Sequence, residues 1–193
     1  MNKNIAVFAS GRGSNFLAIA KEIKKGKLKC KLSFLICDNP KAAVINKAEK
    51  MGIKVIIESN ETKIAGYIER EKVNLIILAG FMRILSKGFI LKHKNRIINI
   101  HPSLLPSFKG RRGIKDAFDY GVRITGVTVH FVDELIDHGP IILQETVRIN
   151  TSDTIASLEE KIHQIEHQVY PKAIKLCLEG RLSLKGRKVF ISN

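Results

Sequence analysis

The sequence predicts a single-domain α/β protein, in which a mostly parallel, twisted, Rossmann-like sheet carries helices on both faces. Short β-rich apolar segments alternate with amphipathic segments through the first half of the chain, a pattern typical of βαβ units. After Pro106 the alternation stops, and two β-rich segments follow as candidates for antiparallel strands added to the sheet. The chain has 193 residues, 45% of them hydrophobic, which suffices for one well-buried core and is short for two.

In the first half of the chain, polar and glycine-containing turns separate predicted strands from predicted helices. The strands are predicted at residues 4–9, 31–38, 54–58, 73–79 and 96–99. The helices are predicted at residues 14–25, 41–51, 62–71 and 86–93. Since right-handed crossovers connect parallel strands, these helices are expected to cover both faces of the sheet.

The second half is predicted to add a short helix, two antiparallel strands, a long helix and a hairpin. The short helix and the two strands are predicted at residues 113–120, 125–132 and 141–149. The long helix follows candidate capping residues at 151–153 and ends near Gly180. Residues 182–191 are expected to form the hairpin. No linker or repeat interrupts the chain, which supports one domain over residues 1–193.

Composition narrows the classes of function. The net charge of +15 suits an anionic partner. Acidic residues interrupt the lysines and aromatic residues make up only 6%, so the pattern favours an anionic small substrate over a nucleic-acid groove. No apolar stretch reaches the roughly 18 residues of a membrane span. The first strand begins at Asn4, which leaves no room for a signal peptide, and the three cysteines lack metal-type spacing, so a cytoplasmic protein with free thiols is expected.

Asn99 and His101 lie two residues apart at the end of a predicted strand. Residues two apart in a strand share a face, and Pro102 lacks the N–H that would extend the strand. Open α/β sheets bind ligands at the carboxyl ends of their strands. An amide beside an imidazole that titrates near pH 7 suits an oxygen that becomes negative during a reaction. From this pair alone, side chains that merely complete a turn remain the alternative.

A glycine-containing loop at residues 10–15 follows the first strand and opens a helix. Its glycines allow a tight turn, and the free N–H groups at a helix start bind anions. The side chains of Ser14 and Asn15 add donors. The loop lacks the Gly-Lys-Ser/Thr ending of an NTPase loop, and Phe16 stands where a dinucleotide motif has its third glycine. We therefore predict a monophosphate site, with an ordinary capped turn as the alternative.

Two further segments are candidates for the wall of a ligand pocket. Residues 79–85 follow the fourth strand, and their apolar side chains suit a slot for a flat aromatic ligand, with core packing as the alternative. Residues 133–140 carry three carboxylates within five positions, between a strand and a proline. A carboxylate from this segment that reaches His101 would raise the pKa of the histidine and favour imidazolium. A solvated acidic turn is the alternative.

The long helix contains Glu166, a candidate to hold a substrate cation, although a surface ion pair is the alternative. His163 and His167 are four residues apart but lack the carboxylate of a metalloprotease pattern. His93 and His130 are expected to be structural. The sequence therefore predicts no metal site.

Taken together, these segments resemble the phosphoribosylglycinamide formyltransferase family, the folate-dependent enzymes of purine synthesis. The matching segments, in the order of the family, are GRGSN at 11–15, LAGFMR at 78–83, NIHPSLLP at 99–106, the connector 133–140 and EHQVYP at 166–171. The NIHPSLLP motif alone marks a wider superfamily that transfers or hydrolyses formyl groups. The GRGSN loop narrows the resemblance to enzymes that act on glycinamide ribonucleotide.

The resemblance implies a role for each matching residue. Asn99, His101 and Asp137 correspond to the catalytic residues of the family. The residues implied to bind phosphoribosylglycinamide are Gly13, Ser14, Asn15, Phe16 and Glu166. The residues implied to line the folate pocket are Met82, Arg83, Ile84, Leu85, Asn99, Asp133, Glu134, Leu135, Ile136 and Asp137. Residues 1–100 would then form a phosphate-binding half of the domain, and residues 101–193 a half with the folate pocket and the long helix.

The implied reaction joins these roles. The glycinamide amine attacks the formyl carbon of the co-substrate 10-formyltetrahydrofolate, and a tetrahedral intermediate forms. Asn99 and protonated His101 would stabilise its oxyanion, while Asp137 holds the imidazole and assists proton movement. The resemblance implies neither a metal nor a covalent enzyme intermediate, and it leaves a monomer or a homodimer open.

Two departures from the family pattern and two other functions bear on this interpretation. The segment 58–67 is short and lacks an evident arginine, so Lys63 or another lysine is the candidate for that contact with the folate tail. Arg111 and Arg112 replace less basic residues of the family and are candidates to meet the folate glutamates, with a plain surface position as the alternative. Formyltetrahydrofolate hydrolases share the Asn-x-His core but usually carry an amino-terminal regulatory domain, whereas this chain starts at its first strand. The charge of +15 leaves an RNA-binding module on a formyltransferase fold as an alternative of another class.

Overall fold

The computed structural model describes residues 3–192. In chain order, the elements are β1 (Lys3–Phe8), α1 (Ser14–Lys24), β2 (Cys30–Cys37), α2 (Ala43–Glu49), β3 (Val55–Ile57), α3 (Glu61–Arg70), β4 (Leu75–Leu78), α4 (Lys87–Lys92), β5 (Ile97–His101), α5 (Gly113–Tyr120), β6 (Ile124–Phe131), β7 (Ile141–Arg148), α6 (Ile155–Leu178), β8 (Leu182–Lys185) and β9 (Lys188–Ile191).

Across this described range, seven strands form one sheet in the order β3-β2-β1-β4-β5-β6-β7. Strands β1 to β5 pair in parallel, whereas β6 runs antiparallel to β5 and β7 antiparallel to β6. Strands β8 and β9 form a separate hairpin. The predicted fold class is therefore confirmed: the sheet is mostly parallel, and the antiparallel strands are added in the second half of the chain.

The strand order places the loops that follow β1 and β4 side by side. The chain leaves β1 toward β2 on one side, and it returns from β3 to β4 on the other side of β1. Such a reversal opens a crevice at the carboxyl edge of an α/β sheet, where ligands bind. The glycine-containing loop after β1 and the apolar segment after β4 therefore meet at this crevice, with the end of β5 next to them.

Two apolar layers hold the helices against the sheet. One face packs residues such as Ile64 of α3 and Phe89 of α4 against the outward side chains of β1, β2 and β4. The opposite, larger layer packs α1, α2 and α6, with Phe16 and Tyr170 fully buried. Alternate residues of the central strands serve the two layers, as the pleat of a sheet requires. Helices therefore cover both faces, as predicted.

Helix α6 is fixed to the edge of the sheet where the crevice opens. The buried Tyr170 hydroxyl lies 2.7 Å from the carbonyl of Leu78, the last residue of β4, and 3.2 Å from the carbonyl of Ile98 in the neighbouring β5. Glu166 lies one turn earlier on α6. Because residues four apart share a helix face, the contact of Tyr170 with the sheet also turns Glu166 toward the crevice.

The structure corrects one predicted boundary. Thr154, rather than residues 151–153, caps α6: its hydroxyl accepts the N–H of Ser157, and the Ser157 hydroxyl accepts the N–H of Thr154. Asp153 serves the helix differently, since its carboxylate accepts the Ser157 hydroxyl and the Lys161 ammonium. Among residues 3–192, no helix is long and apolar enough to cross a membrane.

Candidate active site

The crevice holds a cavity of about 510 Å³. Every residue that the sequence assigned to catalysis, the acceptor or the folate lines it, except Phe16. The Phe16 side chain is fully buried in the core, so only its backbone can serve a ligand of the loop. The structure thus brings together segments from β1 to α6 that lie more than a hundred residues apart in the sequence.

The Asn99, His101 and Asp137 side chains meet at one end of the cavity. His101 Nδ1 lies 3.4 Å from Asp137 Oδ2. The Asn99 amide nitrogen lies 3.5 Å from Asp137 Oδ1, the outer limit of a hydrogen bond. Because β5 extends to His101, Asn99 and His101 share one face of the strand, as their spacing predicted.

His101 is surrounded by hydrogen-bond acceptors. Its Nε2 lies 2.8 Å from the Phe108 carbonyl oxygen, which cannot donate, so Nε2 carries a proton. Asp137 faces the other ring nitrogen, so only imidazolium can donate to both neighbours. Gly113 at the start of α5 permits this packing, since a Cβ there would lie 3.1 Å from His101 Nε2 and 3.0 Å from the Phe108 oxygen.

Burial nevertheless decides the titration of His101. Desolvation holds the pKa of His101 below its usual value, although Asp137 and the Phe108 carbonyl act to raise it. Asp137 does act to raise the pKa of His101, as the sequence predicted for a carboxylate that reaches it, but burial outweighs this contribution. Because His101 is only 3% exposed, the charged ring loses more free energy of hydration than it gains from the attraction of one carboxylate at 3.4 Å.

Asp137 is held as a carboxylate. Burial alone would raise its pKa, but His130, the Gly110 N–H and the charge of His101 outweigh burial and keep the pKa below its usual value. The Gly110 N–H donates to Oδ2 at 2.8 Å. Asp137 also has a φ of +45°, a backbone conformation that is costly for a residue with a side chain.

His130 belongs to this group, although its sequence position suggested a structural role. Its Nε2 lies 3.3 Å from the Asn99 amide nitrogen and 3.7 Å from Asp137 Oδ1. Its Nδ1 lies 2.8 Å from the Phe131 carbonyl, which can only accept, so Nδ1 carries a proton, and Nε2 faces both Asn99 and Asp137. His130 therefore orients the Asn99 amide. The antiparallel register, in which Asn99 pairs with His130, could have revealed this contact.

The other end of the cavity is formed by the loop at residues 10–16, here called the anion loop. Gly13 precedes α1 with a φ of +74°, and no side chain caps the helix. A Cβ on Gly13 would lie 2.4 Å from a Val44 methyl group, so this position requires glycine. The first N–H groups of α1 have no partner within the helix and face the loop, which suits an anion.

Asn15 links the anion loop to α6. Its amide nitrogen donates to Glu166 Oε2 at 2.9 Å, and the same oxygen lies 2.9 Å from His163 Nδ1. Both Asn15 and Glu166 are buried. The Asn15 amide, expected to contact a phosphate, therefore first positions a carboxylate, while the Asn15 Oδ1 atom is buried without a partner.

The segment after β4, which forms one wall of the cavity, is held by hydrogen bonds from two other segments. The Ser10 hydroxyl donates to Asp38 at 2.5 Å and accepts the Met82 N–H at 2.9 Å. On the opposite side, Arg111 donates to the Met82 carbonyl at 3.0 Å. The segment after β4 is thus held by its backbone, which leaves its side chains free to contact a ligand.

Those side chains form an exposed apolar rim. Ile84 is 70% exposed, Leu135 62%, Ile136 55% and Met82 50%, and all four line the same cavity. Clustered exposed apolar side chains on an otherwise charged surface mark a binding site. The rim suits a flat, largely apolar ligand.

Some sequence candidates lie outside the cavity. Lys63 pairs with Glu58, and Arg112 pairs with Asp116, so of the proposed basic contacts only Arg111 lines the cavity. Among residues 3–192, no group of three or more histidine, cysteine or acidic side chains is arranged to hold a metal ion.

Comparison with known proteins identifies the family. The sequence profile of the formyl transferase family matches residues 3–174. Phosphoribosylglycinamide formyltransferase of Bacillus subtilis (strain 168) is 43% identical to this chain, over 96% of this chain and 99% of that protein. The chain belongs to the phosphoribosylglycinamide formyltransferase family.

Two further relatives agree with this membership in the phosphoribosylglycinamide formyltransferase family. The human trifunctional purine biosynthetic protein adenosine-3 is 38% identical, over 93% of this chain and 19% of that protein. The crystal structure of glycinamide ribonucleotide transformylase 1 from Symbiobacterium toebii has a TM-score of 0.96 and 35% identity, over 100% of this chain and 95% of that one. The resemblance inferred from the motifs, and with it the enzyme class of a formyltransferase, is confirmed.

Proposed function

We propose that the protein transfers the formyl group of 10-formyltetrahydrofolate to the amine of 5-phosphoribosylglycinamide in purine biosynthesis. The products are formylglycinamide ribonucleotide and tetrahydrofolate. One observation carries the proposal: a single cavity is lined by the anion loop, by the apolar rim, and by Asn99, His101 and Asp137. A phosphorylated acceptor and a flat formyl donor can therefore meet inside it.

The acceptor would bind between the anion loop and α6. The N–H groups at the start of α1 and the Ser14 hydroxyl would hold its phosphate. Glu166, which is 4% exposed and tied to the loop by Asn15, would contact the glycinamide portion. Glu166 and His101 line the same cavity, so an amine held by the carboxylate shares that space with the proposed oxyanion donor.

The formyl-folate would bind along the apolar rim. Its pterin ring would lie against Leu85 and the backbone of residues 82–85 and 133–137, with Met82, Ile84, Leu135 and Ile136 around it. Of Lys63, Arg111 and Arg112, the candidates for the glutamate tail, Arg111 is the one that lines the cavity, where it contacts Met82. These contacts would set the formyl carbon beside Asn99 and His101.

The reaction would begin when the neutral amine attacks the formyl carbon. The C=O bond becomes C–O⁻, and the Asn99 amide and the Nε2–H of His101 donate to that oxygen. His101 Nε2 now donates to the Phe108 carbonyl, so the oxyanion must replace this carbonyl as the acceptor. Phe108 has a φ of +52°, and a strained backbone can yield the contact at small cost.

Proton transfers would complete the reaction. The attacking nitrogen loses a proton, the bond between the formyl carbon and N10 breaks, and N10 gains a proton. Asp137, an ionised carboxylate in contact with His101, would stabilise the imidazolium and assist these transfers. Binding, orientation and charge would therefore provide the catalysis, without a covalent enzyme intermediate.

The test is tetrahydrofolate release from 10-formyltetrahydrofolate, measured with and without phosphoribosylglycinamide. The proposal expects release, and formylation of the acceptor, only when the acceptor is present. Release without acceptor would indicate a hydrolase and overturn the proposal. No release by a folded sample under either condition would also overturn it, and salt-resistant RNA binding by that sample would favour the RNA-binding alternative.

A further inference from the structure

Glu166 and His163, one turn apart on α6, form an ion pair at the acceptor end of the cavity. His163 Nδ1 and Asn15 Nδ2 each lie 2.9 Å from Glu166 Oε2. Within the described part of the chain, neither these nor other side chains hydrogen bond to Oε1. The carboxylate is therefore anchored through one oxygen, and its second oxygen is left for a group in the cavity.

A buried carboxylate on its own would hinder an amine acceptor. An unpaired negative charge beside an amine raises the pKa of that amine and favours the ammonium form. Ammonium has no lone pair and cannot attack a formyl carbon. Glu166 must therefore bind the amine by accepting its hydrogen bond, without the full attraction that would keep the amine protonated.

We propose that His163 is a positioning residue that neutralises Glu166 and occupies Oε2, so that Oε1 receives the acceptor amine in its neutral, nucleophilic form. This inference rests on the proposed function, because it takes an amine as the acceptor. His163 acts through Glu166 and needs no contact with the reacting atoms. Asn15 supplies the second donor to Oε2, which fixes the plane of the carboxylate between the anion loop and α6.

The surroundings of His163 favour its charged form. The hydrogen bond to Glu166 raises the pKa of His163 above its usual value, against the opposing effect of burial. The other charged or titratable groups that face this part of α6 are Arg12 of the anion loop, Lys21 of α1, His101 of β5, and Glu159, His167 and Tyr170 of α6. Arg12 lowers the pKa of His163 and Glu159 raises it, but neither outweighs the ion pair with Glu166.

The test is the pH profile of kcat in three variants. His163→Gln keeps a hydrogen-bond donor but removes the charge, and His163→Lys keeps a positive charge. His167→Gln is the matched control. The His167 ring stacks on that of His163, with 6.4 Å between the ring centroids, but it has no hydrogen bond to Glu166. The acid limb of kcat reports the deprotonation of groups in the enzyme–substrate complex, including the bound amine.

We expect the acid limb of His163→Gln to move to higher pH by about one unit, the low end for loss of a close charge because His163 is partly exposed. Below that limb, kcat should fall about tenfold, while kcat at high pH and the KM for formyl-folate stay unchanged. His163→Lys should move the limb back toward wild type, and His167→Gln should leave it in place.

Two results would overturn the inference alone. One is a His163→Gln profile that overlays the wild type or falls equally at every pH, as a purely structural role would give. The other is an NMR titration in which the His163 pKa is the same in the wild type and in Glu166→Gln, which would show that the ion pair is absent. A wild-type protein without acceptor-dependent transfer would overturn the proposed function as well, so the two failures are distinguishable.

Discussion

The two functional parts of the cavity, here called the reaction end and the anion end, differ in the groups that they offer to a ligand. At the reaction end, buried side chains hold one another: Asp137 contacts His101, and His130 orients Asn99. At the anion end, the loop offers backbone N–H groups in a shape that depends on Gly13. Side-chain identity should therefore control turnover at one end, whereas backbone shape should control acceptor binding at the other. Substitutions at the two ends can test this difference.

The largest effect is expected at His101. His101→Ala removes the proposed oxyanion donor and should lower kcat by about 10³-fold, within the range for loss of such a donor or a general acid. The KM for the acceptor should change little, because the anion loop is untouched. Steady-state kinetics would measure kcat and KM, and a melting curve would show whether the variant is folded. Near-wild-type turnover by the folded variant would remove His101 from the mechanism.

The anion end should respond in the opposite way. Gly13→Ala forces a Cβ to within 2.4 Å of Val44 at a φ of +74°, so the loop must shift. At the ~1–3 kcal/mol typical of such strain, the KM for the acceptor should rise roughly tenfold or more, while kcat at saturation largely persists. Gly11→Ala is the matched control, since a Cβ at Gly11 would meet no atom within 4 Å beyond its chain neighbours and the φ there is not left-handed. Equal effects of the two substitutions would contradict the assignment of the loop.

At the reaction end, the sequence predicted where the side chains lie better than it predicted their pKa values. The period of two that joins Asn99 to His101, and the proline that follows, are local signals, and the structure agrees with them. The pKa of His101 depends instead on the burial of its ring and on the Phe108 carbonyl, which only the folded chain brings there. A local pattern cannot give a desolvation penalty that distant segments create.

The sequence also did not predict the roles of side chains that act through contacts with residues distant in the chain. His130 lies in an ordinary apolar strand, and its role follows from the antiparallel register that sets it opposite Asn99. The Asn15 amide, expected to face a phosphate, bonds to Glu166, which lies 151 positions later in the chain. The α/β pattern and the glycine loop, by contrast, were visible because backbone conformation leaves a short-range signature.

The smallest effect on turnover is expected at His93, a buried histidine outside the cavity that contrasts with His101. Its ring is 2% exposed, packs on Phe89 at 4.6 Å between centroids, and has no hydrogen-bond partner on either nitrogen. Burial, with the charges of Arg96 and Lys92, lowers the pKa of His93 to about 4. On unfolding, the ring returns to a pKa near 6.5, so the unfolded chain binds the proton more tightly.

Stability from this source is therefore present above pH 6.5 and is lost as the pH falls toward about 4. Between pH 7 and 5 the wild type should lose about 1–2 kcal/mol of unfolding free energy through His93. His93→Phe keeps an aromatic ring beside Phe89 and removes this loss, while formyl transfer stays at the wild-type rate. Urea unfolding of both proteins at pH 7 and pH 5 measures the difference. Parallel losses in the two proteins would show that the unpartnered ring is not the source, and a lower transfer rate would show that burial outside the cavity also serves the reaction end.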